Sequence, residues 1–120
     1  MAEPGWPRAL VATGRWRASY ADPIRLRAGD PLTLSGREEI WDGHRWLWAE
    51  AADGRVGWVP DALVDALIDE ARARADYSAM ELSCTPGTSV TGLAATHGWI
   101  WCRDRDGAEG WLPARLLAAA

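Results

Sequence analysis

The sequence of 120 residues contains no phenylalanine and no lysine, and it has only two cysteines, two methionines and two tyrosines. Its thirteen basic residues are therefore all arginines, and its net charge is −4. An acidic chain without a run of arginines lacks the positive surface that neutralises nucleic-acid phosphates. We therefore expect no nucleic-acid partner.

Long apolar runs are also absent. No stretch approaches the roughly 20 apolar residues that a membrane-spanning helix requires. The opening residues, MAEPGWPRALV, lack the basic stretch and apolar core of a secretory signal. These absences predict a soluble, cytoplasmic protein with no membrane partner.

The two cysteines, Cys84 and Cys102, both fall in the second half of the chain. A single pair cannot form a disulfide framework, and no CxxC spacing indicates a zinc site. We interpret them as two small buried thiols in a reducing compartment. The alternative is a pair that forms a stabilising disulfide on oxidation.

The motifs of common enzymes are missing. The chain has no glycine-rich phosphate loop, no GxSxG and no HExxH. His44 and His97 each precede a tryptophan by two residues, but no second or third metal ligand accompanies them. We expect no enzymatic activity, no bound metal and no cofactor.

What the sequence does contain is nine tryptophans and an internal repeat. Residues 46–64, WLWAEAADGRVGWVPDALV, align without a gap with residues 99–117, WIWCRDRDGAEGWLPARLL, at an offset of 53. The identical positions are Trp, Asp, Gly, Pro and Leu, which are residues with strong structural roles. Two copies of one small unit are therefore expected.

Each copy shows the pattern of short strands. Residues 45–51 alternate between polar and apolar side chains, which predicts a strand. Asp53-Gly54 predicts a two-residue hairpin, and residues 55–59 form the returning strand. Pro60 cannot donate a hydrogen bond to a sheet and ends that strand, and residues 61–63 fit one short helical turn.

The predicted architecture is all-β, with two tandem five-stranded small barrels joined by a short, stiff linker. The linker contains no Gly, Pro or Ser, so we expect direct contact between the barrels, with Leu67 and Ile68 partly buried. The predicted boundaries are residues 1–10 for an N-terminal tail, 11–65 for the first domain, 66–70 for the linker and 71–118 for the second domain.

The repeated Trp-x-Trp, Asp-Gly and Gly-Trp-aliphatic-Pro motifs resemble those of the Src homology 3 (SH3) domain. Residues 73–77, ARADY, resemble the ALYDY segment of that family, and residues 17–20, RASY, are a weaker version in the first copy. The resemblance extends over residues 11–118 and is closest to bacterial variant SH3 domains. It implies two tandem SH3-like domains.

SH3 domains bind proline-rich peptides in an aromatic groove, beside an acidic pocket that takes a basic side chain. Other aromatic positions of the family are occupied here by Ala18, Leu63, Ala75 and Leu116. The positions that match the groove are Tyr20, Trp46 and Pro60 in the first copy, and Tyr77, Trp99 and Pro113 in the second. Trp46 and Trp99 could form the wall of a binding pocket, or they could be half-buried structural tryptophans.

The first copy is longer than the second just before Trp46, and we expect the extra residues to form a loop. Glu38, Glu39 and Asp42 in this segment could bind a cationic side chain, or they could simply be solvated. Trp41 in the same segment is a candidate exposed aromatic contact.

Three functions remain open from the sequence. The first is a non-catalytic tandem module that binds a protein or an extended peptide segment through tryptophan-lined surfaces. The second is a rigid structural or regulatory accessory protein whose grooves are unused, and the third is a cell-wall-binding module. The segment Pro4-Gly5-Trp6-Pro7-Arg8 is interpreted as part of a disordered tail, with docking on one of the chain's own grooves as the alternative.

Overall fold

The computed structural model describes residues 5–66 and 70–120, and in this part of the chain the fold is all-β. The only helical segments among these residues are two 3-10 turns, Asp61–Leu63, which was predicted, and Ala114–Leu116, and no described helix could cross a membrane. The strands are β1 (Arg8–Ala12), β2 (Arg25–Leu26), β3 (Pro31–Trp41), β4 (His44–Ala51), β5 (Val56–Pro60), β6 (Val64–Ala66), β7 (Ala71–Ala73), β8 (Tyr77–Ser78), β9 (Ser89–Thr96), β10 (Trp99–Arg103), β11 (Glu109–Pro113) and β12 (Leu117–Ala119).

The chain divides into two compact units. Residues 22–79 form one of them, which we call the continuous unit, and residues 1–21 together with 80–120 form the other, the split unit. The continuous unit contains an antiparallel sheet with the strand order β5-β4-β3-β7-β6, and the split unit contains one with the order β11-β10-β9-β1-β12. Strands β3 to β6 of the first repeat have the same places in their sheet as β9 to β12 of the second repeat. Only β1 and β7 lie in the sheet of the other repeat.

These units divide the chain at different positions from the predicted domains 11–65 and 71–118. Strand β1, which begins the first repeat, lies between β9 and β12 of the second repeat. Strand β7, which begins the second repeat, lies between β3 and β6 of the first repeat. The two repeats have therefore exchanged their first strands, and each sheet is completed by a strand from the other repeat.

The predicted tail and linker also differ from the observed strands. The predicted tail, residues 1–10, overlaps β1, which begins at Arg8. Leu10 of this strand is only 7% exposed, because it packs in the core of the split unit. The predicted linker, residues 66–70, runs between two paired strands, since Ala66 of β6 lies opposite Ala71 of β7. The expected burial of Leu67 and Ile68 concerns residues outside those that the structure describes.

Each unit has its own hydrophobic core, formed by the side chains that alternate inward along its strands. The split unit buries both cysteines, as predicted, and their thiols are free. Burial raises the pKa of Cys102 to about 12. The core of the continuous unit consists of Ile24, Leu26, Leu32, Ala49, Ala51, Val59, Leu63, Val64 and Ala73, and that of the split unit consists of Leu10, Ala12, Leu82, Cys84, Val90, Cys102 and Leu112.

The tight hairpins lie elsewhere than predicted. Asp42-Gly43 and His97-Gly98 form two-residue turns in which both residues have positive φ, with values of 51° and 80° in the first and 50° and 83° in the second. Two positive φ values match the right-handed twist of the flanking strands. The prediction of a two-residue hairpin at Asp53-Gly54 is wrong, because the last ladder pair there is Glu50 with Val56 and the loop between them is longer.

Gly57 and Gly110 occupy the same repeat position but meet different neighbours, which allows a matched stability test. A Cβ at Gly110 would lie 2.8 to 3.1 Å from backbone atoms of the segment 80–82, whereas the nearest atom to a Cβ at Gly57 would be a methyl group of Ile24 at 2.8 Å. A methyl group can move more easily than backbone. We predict that Gly110→Ala lowers the free energy of unfolding by about 1–3 kcal/mol, and that Gly57→Ala lowers it by less. Urea denaturation followed by circular dichroism measures both, and equal losses would contradict the prediction.

Candidate functional site

A pair of tryptophans lies on the face of the continuous sheet that points away from its core. Trp48 of β4 is directly opposite Trp58 of β5, and Trp46 is opposite Pro60, two residues along the strands. The rings of Trp48 and Trp58 meet edge to face, with centroids 5.1 Å apart and planes at 74°. Both tryptophans are half-buried, so part of each ring is accessible to solvent.

The split unit reproduces this arrangement. Trp101 of β10 is opposite Trp111 of β11, and Trp99 is opposite Pro113. The Trp101 and Trp111 rings also have centroids 5.1 Å apart and planes at 74°, and both are half-buried. We call Trp48 with Trp58 the first tryptophan pair, and Trp101 with Trp111 the second tryptophan pair.

The two pairs differ in the charged group that lies beside them. The guanidinium carbon of Arg37 lies over the first pair, 5.0 Å from the centroid of Trp58 and 5.7 Å from that of Trp48. This is the distance of a cation–π contact. Beside the second pair, Glu109 accepts a 2.8 Å hydrogen bond from Nε1 of Trp101 and forms a 3.2 Å ion pair with Arg103. The group in direct contact with the tryptophan rings is therefore an arginine at the first pair and a carboxylate, already paired with Arg103, at the second.

The tryptophans and prolines predicted to line the grooves are buried. Trp46 and Trp99 are each 8% exposed, and Pro60 and Pro113 are also buried. In the split unit the ring of Trp16 packs edge-on against Trp99, with centroids 5.3 Å apart. A side chain of the protein itself therefore covers this predicted groove tryptophan.

The predicted equivalence of Tyr20 with Tyr77 is wrong. Tyr77 is opposite Leu26, and Trp16 is opposite Cys84, which corresponds to Leu26 in the repeat. Trp16 therefore occupies the position that Tyr77 has in the other unit, while Tyr20 is 43% exposed. The signal that could have identified Trp16 is its spacing from Ala12, which equals the spacing of Tyr77 from Ala73.

Tyr77 and Trp16 are both fixed by side-chain hydrogen bonds. The Tyr77 hydroxyl donates to the carbonyl oxygen of Trp58 at 2.9 Å. Nε1 of Trp16 donates to a carboxylate oxygen of Glu81 at 3.0 Å. Both rings are half-buried, so each keeps part of its surface accessible to solvent while its polar group is held within its own unit.

The expected acidic loop before Trp46 is an extension of a hairpin. Glu38, Glu39 and Trp41 lie in β3, because that strand continues to the turn at Asp42-Gly43. The prediction of a loop here is therefore wrong for these three residues. Glu38 forms a 2.6 Å ion pair with Arg45, and Glu39 lies 3.7 Å from Arg37, so both carboxylates already have arginine partners.

The two histidines occupy different positions in their hairpins. Nδ1 of His97 lies 2.9 Å from the hydroxyl of Thr96 in the two-residue turn, whereas His44 begins strand β4. Across residues 5–66 and 70–120, no group of three His, Cys, Asp or Glu side chains is arranged to hold a metal ion.

Comparison with known families supports the all-β interpretation in part of the chain. Residues 10–65 match the model of the variant SH3 domain family. No curated protein and no solved structure matches the chain. The chain therefore carries an SH3-like segment, and SH3 domains are typically non-catalytic modules that bind proteins or peptides. The matched segment starts in β1 of the split unit and ends at β6 of the continuous unit, so it spans parts of both compact units.

The contacts of Glu109 predict a pH-dependent contribution to stability. Hydrogen bonds from Trp101 and then Arg103 lower the pKa of Glu109 below its ordinary value of 4.5. A lowered pKa in the folded state stabilises the protein above pH 4.5, and this stabilisation is lost as the pH falls through the folded-state pKa. We predict that Trp101→Phe raises the pKa of Glu109, measured by NMR titration of its side-chain carboxyl carbon. An unchanged titration midpoint in Trp101→Phe would contradict the assigned cause.

Proposed function

We propose that the chain is a non-catalytic tandem SH3-like module that binds an extended segment of a protein partner through its two tryptophan pairs. The single observation that supports this function is the recurrence of a half-exposed tryptophan pair, with the same separation and angle, outside the core of each unit. Tryptophan is enriched among residues that dominate binding energy, because it combines a large apolar surface with a hydrogen-bond donor.

The shape of each pair suits an extended peptide. Two rings that meet at 74° present one face and one edge, and a proline or aliphatic side chain can pack into the angle between them. An extended or polyproline II segment offers such side chains without the entropic cost of folding a longer element. The chemistry proposed for such a site is recognition, in which Glu109 beside the second pair serves as a hydrogen-bond acceptor.

The charges beside the pairs favour the second pair as the stronger site for a basic peptide. Arg37 already supplies a cation to the first pair, whereas Glu109 places a carboxylate beside the second pair. Glu109 is already paired with Arg103, but a carboxylate has about four acceptor positions and can accept from an incoming arginine as well. A partner segment that combines proline or aliphatic residues with an arginine would match the second pair. For the first pair, an incoming cation would have to compete with Arg37.

A second function is supported by a different observation. The burial of Trp46 and Trp99, and the packing of Trp16 against Trp99, fit a rigid accessory protein whose family grooves are filled by its own side chains. Under this alternative the tryptophan pairs act as cross-strand contacts that stabilise their hairpins.

A peptide selection distinguishes the two functions. We predict that a displayed library of extended, proline-containing peptides yields ligands for the full chain, and that Trp58→Ser combined with Trp111→Ser weakens their binding at least tenfold. Both substitutions remove ring surface outside the core, and circular dichroism checks that the variant remains folded. Isothermal titration calorimetry measures the affinities.

Ile40→Ser serves as the matched control, because Ile40 is a large apolar residue that is 68% exposed but lies outside both pairs. It should leave the affinity unchanged. Peptides that bind the Trp58→Ser/Trp111→Ser variant as tightly as the native chain would contradict the assigned site. A selection that yields no ligand at all would favour the rigid accessory protein.

A further inference from the structure

We propose that side-chain size and hydrogen bonding specify the exchange of first strands, so that β1 fits the sheet of the second repeat and β7 fits that of the first. An arrangement in which each repeat keeps its own first strand is the natural alternative for two similar repeats. Both arrangements would form the same backbone ladders. The choice between them must therefore come from positions at which the two repeats differ.

The first such position is Leu10 in β1. Leu10 is buried in the split unit, where it packs over Gly92 of the neighbouring strand β9. A Cβ at Gly92 would lie 2.8 Å from Cδ1 of Leu10 and 2.6 Å from the ring of Trp6. The space for Leu10 and Trp6 therefore exists only because residue 92 has no side chain.

The continuous unit has the opposite distribution of sizes. Ala71 of β7 takes the place of Leu10, since Ala71 is opposite Leu32 just as Leu10 is opposite Val90. Leu34, two residues beyond Leu32, takes the place of Gly92 and packs on the same core as Ala71. In this unit the large residue, Leu34, lies in β3, and the small residue, Ala71, lies in the first strand of the other repeat.

Without the exchange, these sizes would no longer match. The first repeat would then place Leu10 beside Leu34, and the second would place Ala71 beside Gly92. Two leucines would overfill one core, while an alanine and a glycine would leave a cavity in the other. The exchanged arrangement avoids both penalties.

Gly14 provides a second and independent fit. A Cβ at Gly14 would lie 2.8 Å from Cδ2 of Leu116 in the split unit. The corresponding residue of the second repeat is Ala75, which carries that Cβ and is exposed in the continuous unit. If Ala75 lay in the split unit, the side chain of Leu116 would have to move.

The aromatic residues that follow each first strand provide a third fit. Trp16 donates to Glu81 at 3.0 Å, and Glu81 also accepts a 3.1 Å bond from the backbone N–H of Ser19. The residue at the position of Glu81 in the first repeat is Pro23, which has no acceptor side chain. Tyr77, in turn, can donate through its hydroxyl to the carbonyl of Trp58, which a tryptophan at this position could not do in the same way.

Engineered cysteine pairs in the full-length chain test the arrangement directly. Val11 lies opposite Ala118 in β12, and the repeat equivalent of Ala118 is Asp65, which lies in the other sheet. Opposed residues of neighbouring strands are close enough for a disulfide. We expect Val11→Cys/Ala118→Cys to form an intrachain disulfide under mild oxidation, and Val11→Cys/Asp65→Cys, the matched control, to remain reduced. Mass spectrometry of the digested protein identifies the bond and separates it from Cys84 and Cys102.

The role of side-chain size is tested by moving the leucine from β1 to β7, with Leu10→Ala/Ala71→Leu. In this variant the unexchanged arrangement would place alanine beside Leu34 and leucine beside Gly92. When the variant also carries either cysteine pair, we expect the 11–65 disulfide to form in place of the 11–118 disulfide, or the chain to fail to fold. Adding Leu34→Gly, Gly92→Leu and Trp6→Ala restores the size match across both sheets, because Trp6→Ala removes the other side chain that lies over residue 92. This fivefold variant should fold again with the 11–118 disulfide.

Several results would overturn the proposal. An 11–65 disulfide in the otherwise native chain, or a covalent dimer joined through residues 11 and 118, would show that the first strands are not exchanged within one chain. Retention of the 11–118 disulfide and of native stability in Leu10→Ala/Ala71→Leu would show that side-chain size does not select the arrangement. A fivefold variant no more stable than the double variant would show the same.

Discussion

The pairing of β1 with β9 and β12, and of β7 with β3 and β6, is the constraint on which the rest of the structure depends. Without β7, the edges of β3 and β6 that it pairs with would keep unpaired backbone groups, and without β1 the same would hold for β9 and β12. The inserted strand also contributes Leu10 and Ala12 to one core and Ala73 to the other. Because each inserted strand comes from the other repeat, neither repeat by itself contains all the strands of one unit.

The tryptophans are divided among distinct structural tasks. Trp46 and Trp99 are buried opposite prolines, and Trp16 packs against Trp99. Trp48 and Trp58, like Trp101 and Trp111, remain half-exposed on the outer faces of the sheets. The two tryptophans that an SH3-like groove would use are thus buried, whereas the tryptophan pairs two residues away keep accessible aromatic surface. The accessible aromatic surface therefore lies two residues farther along β4 and β10, at the site proposed for peptide binding.

The local structure of the repeat could be predicted from sequence because it depends on short-range rules. Alternation around Trp48 predicts β4, and the proline at 60 followed by a 3-10 turn was found as expected. The exchange of first strands could not be predicted in this way, because both arrangements use the same local conformations and differ only in which distant strand pairs with which. The burial of Trp46 could not be decided for a similar reason, since alternation assigns a face to a residue but not the neighbours that cover it.

The interstrand contacts of β1 provide the most direct test of the strand exchange. Two-dimensional NMR of the native chain should show nuclear Overhauser effects between backbone protons of Leu10–Ala12 and those of Leu117–Ala119. The corresponding effects should connect Ala71–Ala73 with Val64–Ala66. Effects that connect Leu10–Ala12 with Val64–Ala66 would instead place β1 in the sheet of its own repeat, and they would contradict the exchange.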